Sequence, residues 1–189
     1  PTNGTGAGNG QIGALIDALA HGDKRIRLRA ADELGLLGAA AADAIPTLTA
    51  ALDDEYEPVA INAAYGLANM GEPAVAALTQ ALKAPSKDAA RNAAYALSAI
   101  GPVAAPALAE LLDYEAEAVR GYAAYALGEI GQVAPEIVPA LVKLTGDEAE
   151  WVRRNTVEAL GTIDAPAMTL VETLTESLNH DADDQVRFT

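Results

Sequence analysis

Apolar positions in this chain follow a helical period within short windows and then repeat over a much longer one. In Val119-Arg120-Gly121-Tyr122-Ala123-Ala124-Tyr125-Ala126-Leu127-Gly128-Glu129-Ile130-Gly131, Val119, Ala123, Leu127 and Ile130 line one stripe of a helix that closes on a glycine. The same pattern returns as Ile26 to Gly38, Val59 to Gly71, Ala89 to Gly101 and Val152 to Asp164. Its opening returns once more as Val186-Arg187-Phe188-Thr189, and successive openings lie 33, 30, 30, 33 and 34 residues apart. A period in that range marks a solenoid, in which each unit buries its apolar face against the next.

Ahead of each long motif lies a shorter apolar run: Leu48/Leu52, Val75/Leu78/Leu82, Leu108/Leu111/Leu112, Leu141/Leu144 and Val171/Leu174/Leu178. Pro46, Pro106 and Pro139 stand where proline starts a helix. Acidic or small turns then supply cap oxygens for the second helix, as at Asp23, Asp53-Asp54-Glu55, Ser86 and Asp147. Gly38, Gly71, Gly101 and Gly131 fit helix ends that need a left-handed backbone. The expectation is an all-α chain of five helix pairs plus a truncated sixth. Residues 1–10, rich in glycine and asparagine, read as a flexible leader, and residues 11–189 as a single repeat domain cut from a longer array. No capping repeat follows Thr189, so the end near Val171, Leu174 and Leu178 is expected to be open and to promote self-association.

The pattern V-R-x-x-A-A-x-A-L-G-x-I-G, preceded by P-x-L-x-x-L-L-D and clearest from Pro106 to Gly131, resembles the short HEAT-like repeats of phycobilisome lyase subunits and related scaffolds. The third motif departs from it with Ala89-Ala90 for Val-Arg, and the fifth ends in Asp164 rather than glycine. The resemblance implies a right-handed alpha-alpha superhelix whose second helices line a concave surface. It also implies, for most members, protein binding without chemistry.

On a helical wheel the first, fifth, ninth and twelfth positions of the motif form the core, read as Ile26/Ala30/Leu34/Leu37 and Val119/Ala123/Leu127/Ile130. The seventh position lies opposite and carries Asp32, Tyr65, Tyr95, Tyr125 and Glu158. Beside it run Asn62, Asn92, Tyr122 and Asn155 at the fourth position, and Arg91 and Arg154 at the third; Trp151 precedes its motif and points the same way. Tyrosine, tryptophan, arginine and asparagine together have the composition of a binding surface. The competing expectation is structural: tyrosines packed between second helices, and asparagines bonded to neighbouring turns.

Composition narrows the chemistry. Alanine accounts for 44 of the 189 residues and aromatics for 4%, which suits closely stacked helices. The absence of cysteine removes disulfides, thiolate metal sites and thiol nucleophiles. A net charge of -15 repels a phosphate backbone, so nucleic acid is not an expected partner. The two histidines, His21 and His180, sit in turns about five repeats apart, and the chain has no His-Glu dipeptide of the kind that di-iron HEAT-repeat hydroxylases use. Neither Asp53 to Glu57 nor His180 to Asp184 has the spacing and central glycine of a calcium loop. No apolar run is read as a membrane span, and a cytoplasmic location is favoured. The expected function is a non-enzymatic scaffold, without cofactor or metal, that binds a basic or extended protein segment in the groove of the second helices. The alternative is a bilin- or chromophore-lyase-like subunit handling a planar ligand.

Overall fold

The computed structural model describes residues 5–163, with side chains from Gly10 onward. Ten α-helices follow one another among them: α1 (Thr5–His21), α2 (Lys24–Leu37), α3 (Ile45–Ala50), α4 (Glu57–Met70), α5 (Glu72–Leu82), α6 (Lys87–Ile100), α7 (Ala105–Ala109), α8 (Glu117–Ile130), α9 (Val138–Leu144) and α10 (Glu150–Thr162). They make the five helix pairs that the periodicity predicts. The truncated sixth motif, His180 and the end that was expected to self-associate lie outside the described residues.

The chain divides into two compact units, Pro1–Ile100 and Gly101–Thr189. In the first, α2 packs on α1 and on α4, and α4 packs on α6, which is also covered by α5. In the second, α8 packs on α7 and on α10, which is also covered by α9.

Local sequence explains the boundaries. Asp23 accepts hydrogen bonds from the amides of Arg25 (2.9 Å) and Ile26 (3.0 Å), satisfying two orphan donors at the start of α2. The four glycines expected at helix ends are those with positive φ: Gly38 (54°), Gly71 (69°), Gly101 (86°) and Gly131 (68°). The first helices are short because 3-10 turns at 38–44, 51–53, 102–104 and 135–137 adjoin them. At the N-terminus α1 already begins at Thr5, inside the stretch read as a leader. Once the Ile12 to Leu19 turns exist, each added residue contributes a backbone bond, and a glycine costs only about 1 kcal/mol relative to alanine.

Leu34, Leu48, Leu52, Leu67, Leu78 and Leu97 fill the core of the first unit, and Leu108, Leu112, Leu127, Leu141 and Leu160 that of the second. The wheel is corrected at two places: Ile26 and Leu37 are 48% and 38% exposed, whereas Ala30 and Leu34 between them are buried. They stand near the two ends of α2. The buried stripe is also wider than predicted, since Ala31, Ala64, Ala94 and Ala124 at the sixth position are buried too. One stretch, Lys24–Asp53, is long and apolar enough to cross a membrane by length and composition, which the sequence reading had not picked out. Gly38 breaks it into separate helices, and its Leu34, Leu48 and Leu52 are buried within the first unit.

Candidate functional site

Neighbouring second helices are joined by three recurring devices, and the junction at which these change carries the larger of two adjoining openings. The first device is an arginine at the second motif position. Arg27 donates from Nε and Nη2 to the two carboxylate oxygens of Asp54 (2.7 and 2.8 Å), and Arg120 does the same to Asp147 (2.6 and 2.9 Å). Each aspartate also accepts an amide hydrogen bond at 2.9 Å, from Tyr56 or Ala149, so one side chain both caps a helix and holds the preceding repeat. The carboxylates of Asp54 and Asp147 are only 10% and 6% exposed, which separates these pairs from ordinary surface bridges.

Burial pushes both carboxyls up, but the arginine hydrogen bonds and the amide outweigh it, and both are held below the usual aspartate value of 3.8. A carboxyl lowered by folding stabilises the fold above its unfolded value and ceases to do so as pH falls through the folded one. The unfolding temperature of the parent is therefore expected to fall more steeply below about pH 4 than that of Asp147→Asn, which should be less stable at neutral pH. Parallel curves in thermal melts from neutral pH into acid would show that the pair contributes nothing.

The second device is a small residue at the tenth position meeting a small residue at the eighth position of the next repeat. A Cβ placed on Gly35 would lie 3.0 Å from the Cα of Gly66, and one on Gly128 would lie 2.7 Å from the Cα of Ala159. The third is a polar side chain at the eleventh position reaching the carbonyl of that tenth-position glycine. Asn69 donates to Gly35 (3.3 Å), and Thr162 donates to Gly128 (2.9 Å).

Between α4 and α6 the sequence changes all of this. The second position is Ala60 in α4, and the tenth is Ala68 in place of glycine. Ser86 donating to Asp53, and Asn92 donating to the carbonyl of Leu52 (2.9 Å), hold this junction from beneath. Above them lies a groove of about 520 Å3 lined by Glu57, Ile61, Ala64, Tyr65 and Ala68 of α4 and by Arg91, Asn92, Tyr95, Ala96 and Ala99 of α6. Tyr65 and Tyr95 remain 65% and 47% exposed, so a large apolar area faces water. A shallower depression between α2 and α4, lined by Asp32, Gly35, Leu36, Asn62, Tyr65 and Asn69 among others, adjoins it across Tyr65.

The expected site residues thus divide. Tyr65, Tyr95, Asn92 and Arg91 come together in the first unit, with Asn62 in the neighbouring depression. Asn92 is buried and bonded to a turn, as the structural expectation for the asparagines had it, and Arg91 bridges Asp88 at 3.0 Å on its own helix. In the second unit Trp151 lies over Gly121, where any Cβ would meet its ring, and its ring stands edge-on to Tyr122 at 5.5 Å. Asn155 donates to the Gly121 carbonyl beneath (3.3 Å). Tyr125 and Arg154 are half-buried. The acidic turn Asp53-Asp54 serves Ser86 and Arg27, and among the described residues no group of three or more His, Asp or Glu is placed to hold a metal ion.

The family model for HEAT repeats matches residues 12–99, 45–120 and 104–189, and the chain belongs to that family. No curated protein matches it. Among solved structures it is similar to the complex of CpcE and CpcF of phycocyanin lyase from Nostoc, at 24% identity over 77% of this chain and 95% of that one, with a TM-score of 0.63. It is also similar to a designed armadillo repeat protein in complex with a (KR)4 peptide, at 22% identity over 94% of this chain and 95% of that one, with a TM-score of 0.53. An engineered protein aligns at 22% identity over 94% of both chains with a TM-score of 0.51. At these identities the likeness is one of fold.

Proposed function

We propose that the protein is a non-enzymatic scaffold whose second helices hold an extended, basic segment of a protein partner, with the groove between α4 and α6 as its anchor. The observation that carries this reading is the groove itself: an alanine floor, two exposed tyrosines and Ile61 as walls, at the junction where the inter-repeat staples are missing. Tyrosine buries a large area at small entropic cost when a ligand covers it. The chain's net charge of -15 favours a basic segment through long-range attraction. That a repeat protein of similar fold was solved with a (KR)4 peptide is consistent with such a use of stacked helices. Tyr122, Trp151, Tyr125, Asn155 and Arg154 are read as a further contact region on the second unit.

Peptides selected by phage display against the parent protein are expected to include basic residues. They should lose affinity about tenfold for Tyr65→Ala/Tyr95→Ala, the scale of two lost aromatic contacts. Circular dichroism should show the variant equally helical. Selected peptides that bind parent and variant alike would sink the reading. The groove would also take a planar ligand between Tyr65 and Tyr95, and protein expressed alongside a bilin would then carry visible absorbance that the double variant lacks.

A further inference from the structure

The groove and the adjoining depression together point to the conformation and pattern of what they bind, an inference that rests on the docking reading above. They lie on opposite sides of α4 and share Tyr65. Their chemistry differs. The groove between α4 and α6 is mostly apolar around Tyr65 and Tyr95: its arginine is bridged by Asp88, and its carboxylate, Glu57, stands in the first turn of α4, eight residues from Tyr65. The depression between α2 and α4 carries Asp32 and Asn62; neither has an ion pair or a side-chain hydrogen bond among the described residues. One side therefore suits an apolar or aromatic side chain, and the other a cationic one.

Two grooves flanking the same helix are separated by about one interhelical distance, roughly 8–10 Å. In a polyproline II segment three residues advance about 9.3 Å and make one full turn, so positions i and i+3 point the same way. In a β-strand the residues sharing a face are two apart, about 6.7 Å, which is too short to bridge the two grooves.

We propose that the segment crosses α4 as a polyproline II helix, placing an apolar or aromatic residue between Tyr65 and Tyr95 and a lysine or arginine three positions away at Asp32. Such a segment arrives with little conformational entropy to lose, because its backbone needs no hydrogen-bonded partner to be extended. Its cation supplies the charge complementarity, and its apolar residue covers the exposed tyrosine faces.

The test uses proline-rich peptides carrying one phenylalanine and one arginine spaced three apart, in both orders, beside peptides with the pair spaced two apart and peptides with norleucine in place of arginine. Fluorescence anisotropy with the full chain is expected to show at least one order of the three-spaced peptide binding about tenfold tighter than the two-spaced ones. Asp32→Asn should weaken the arginine peptide about threefold to fivefold and leave the norleucine peptide unchanged, the scale of one exposed charge contact. Equal binding of both spacings, with affinity still lost in Tyr65→Ala/Tyr95→Ala, overturns the register while the docking groove stands. Binding that ignores the tyrosines, or no binding by any peptide, overturns both.

Discussion

Replacing Leu97 with alanine is expected to lower stability by about 3 kcal/mol, within the usual range for deleting a fully buried leucine. Leu97 has no exposed surface, and it lies on α6, which packs on both α4 and α5. The lost transfer energy is compounded by the cavity left behind, which a well-packed core fills only in part. Since repeat arrays hold together by nearest-neighbour interfaces, the loss should fall on the junction beneath the tyrosine groove. The readout is the urea midpoint, with far-ultraviolet circular dichroism as the signal. A change below about 1 kcal/mol would mean that this core collapses readily and that the α4–α6 interface is loosely packed.

Glycine to alanine at two positions of the second unit is expected to give opposite signs. At Gly161, in the last turn of α10, a Cβ meets nothing within 4 Å, so alanine should stabilise by up to about 1 kcal/mol through helix propensity. At Gly128 the same Cβ would stand 2.7 Å from the Cα and 2.9 Å from the Cβ of Ala159, and a backbone atom cannot swing aside. Helix α8 would have to move off α10 and loosen the hydrogen bond from Thr162 to the Gly128 carbonyl. Overpacking of this kind should outweigh the propensity gain and leave Gly128→Ala destabilised by about 2 kcal/mol. Thermal melts of the two variants against the parent decide it, and an unchanged or raised midpoint for Gly128→Ala would show that the contact is slack.

The same geometry explains why the groove between α4 and α6 is roomier than the depression between α2 and α4. Glycine at the tenth position lets two second helices approach until only backbone separates them, as at Gly35 and Gly66. Ala68 keeps a methyl group there, and the space above it is left to Tyr65 and Tyr95. The same position of the motif thus sets both packing and exposed surface: a residue that closes the junction contributes packing, and one that holds it open leaves surface.

Much of the architecture was legible in the chain because it depends on local chemistry. The helix pairs follow from apolar periodicity, the four left-handed helix ends from Gly38, Gly71, Gly101 and Gly131, and the capping from Asp23, Ser86 and Asp147. The arginine device was also written there, as Arg27 with Asp54 and Arg120 with Asp147, each 27 residues apart, and Ala60 and Ala90 mark where it lapses. What no periodicity could supply was which equivalent residues line open surface and which are taken into packing. Asn92 and Asn62 hold the same motif position, yet one is buried on the Leu52 carbonyl and the other faces a depression. Tyr65 and Tyr95 flank an open groove, whereas Trp151 is seated on Gly121 beside Tyr122. Local sequence determines how each helix begins, ends and turns its apolar face inward, since those forces act within a few residues. The approach distance between helices depends on pairs of residues some thirty positions apart, and only the packed structure decides it.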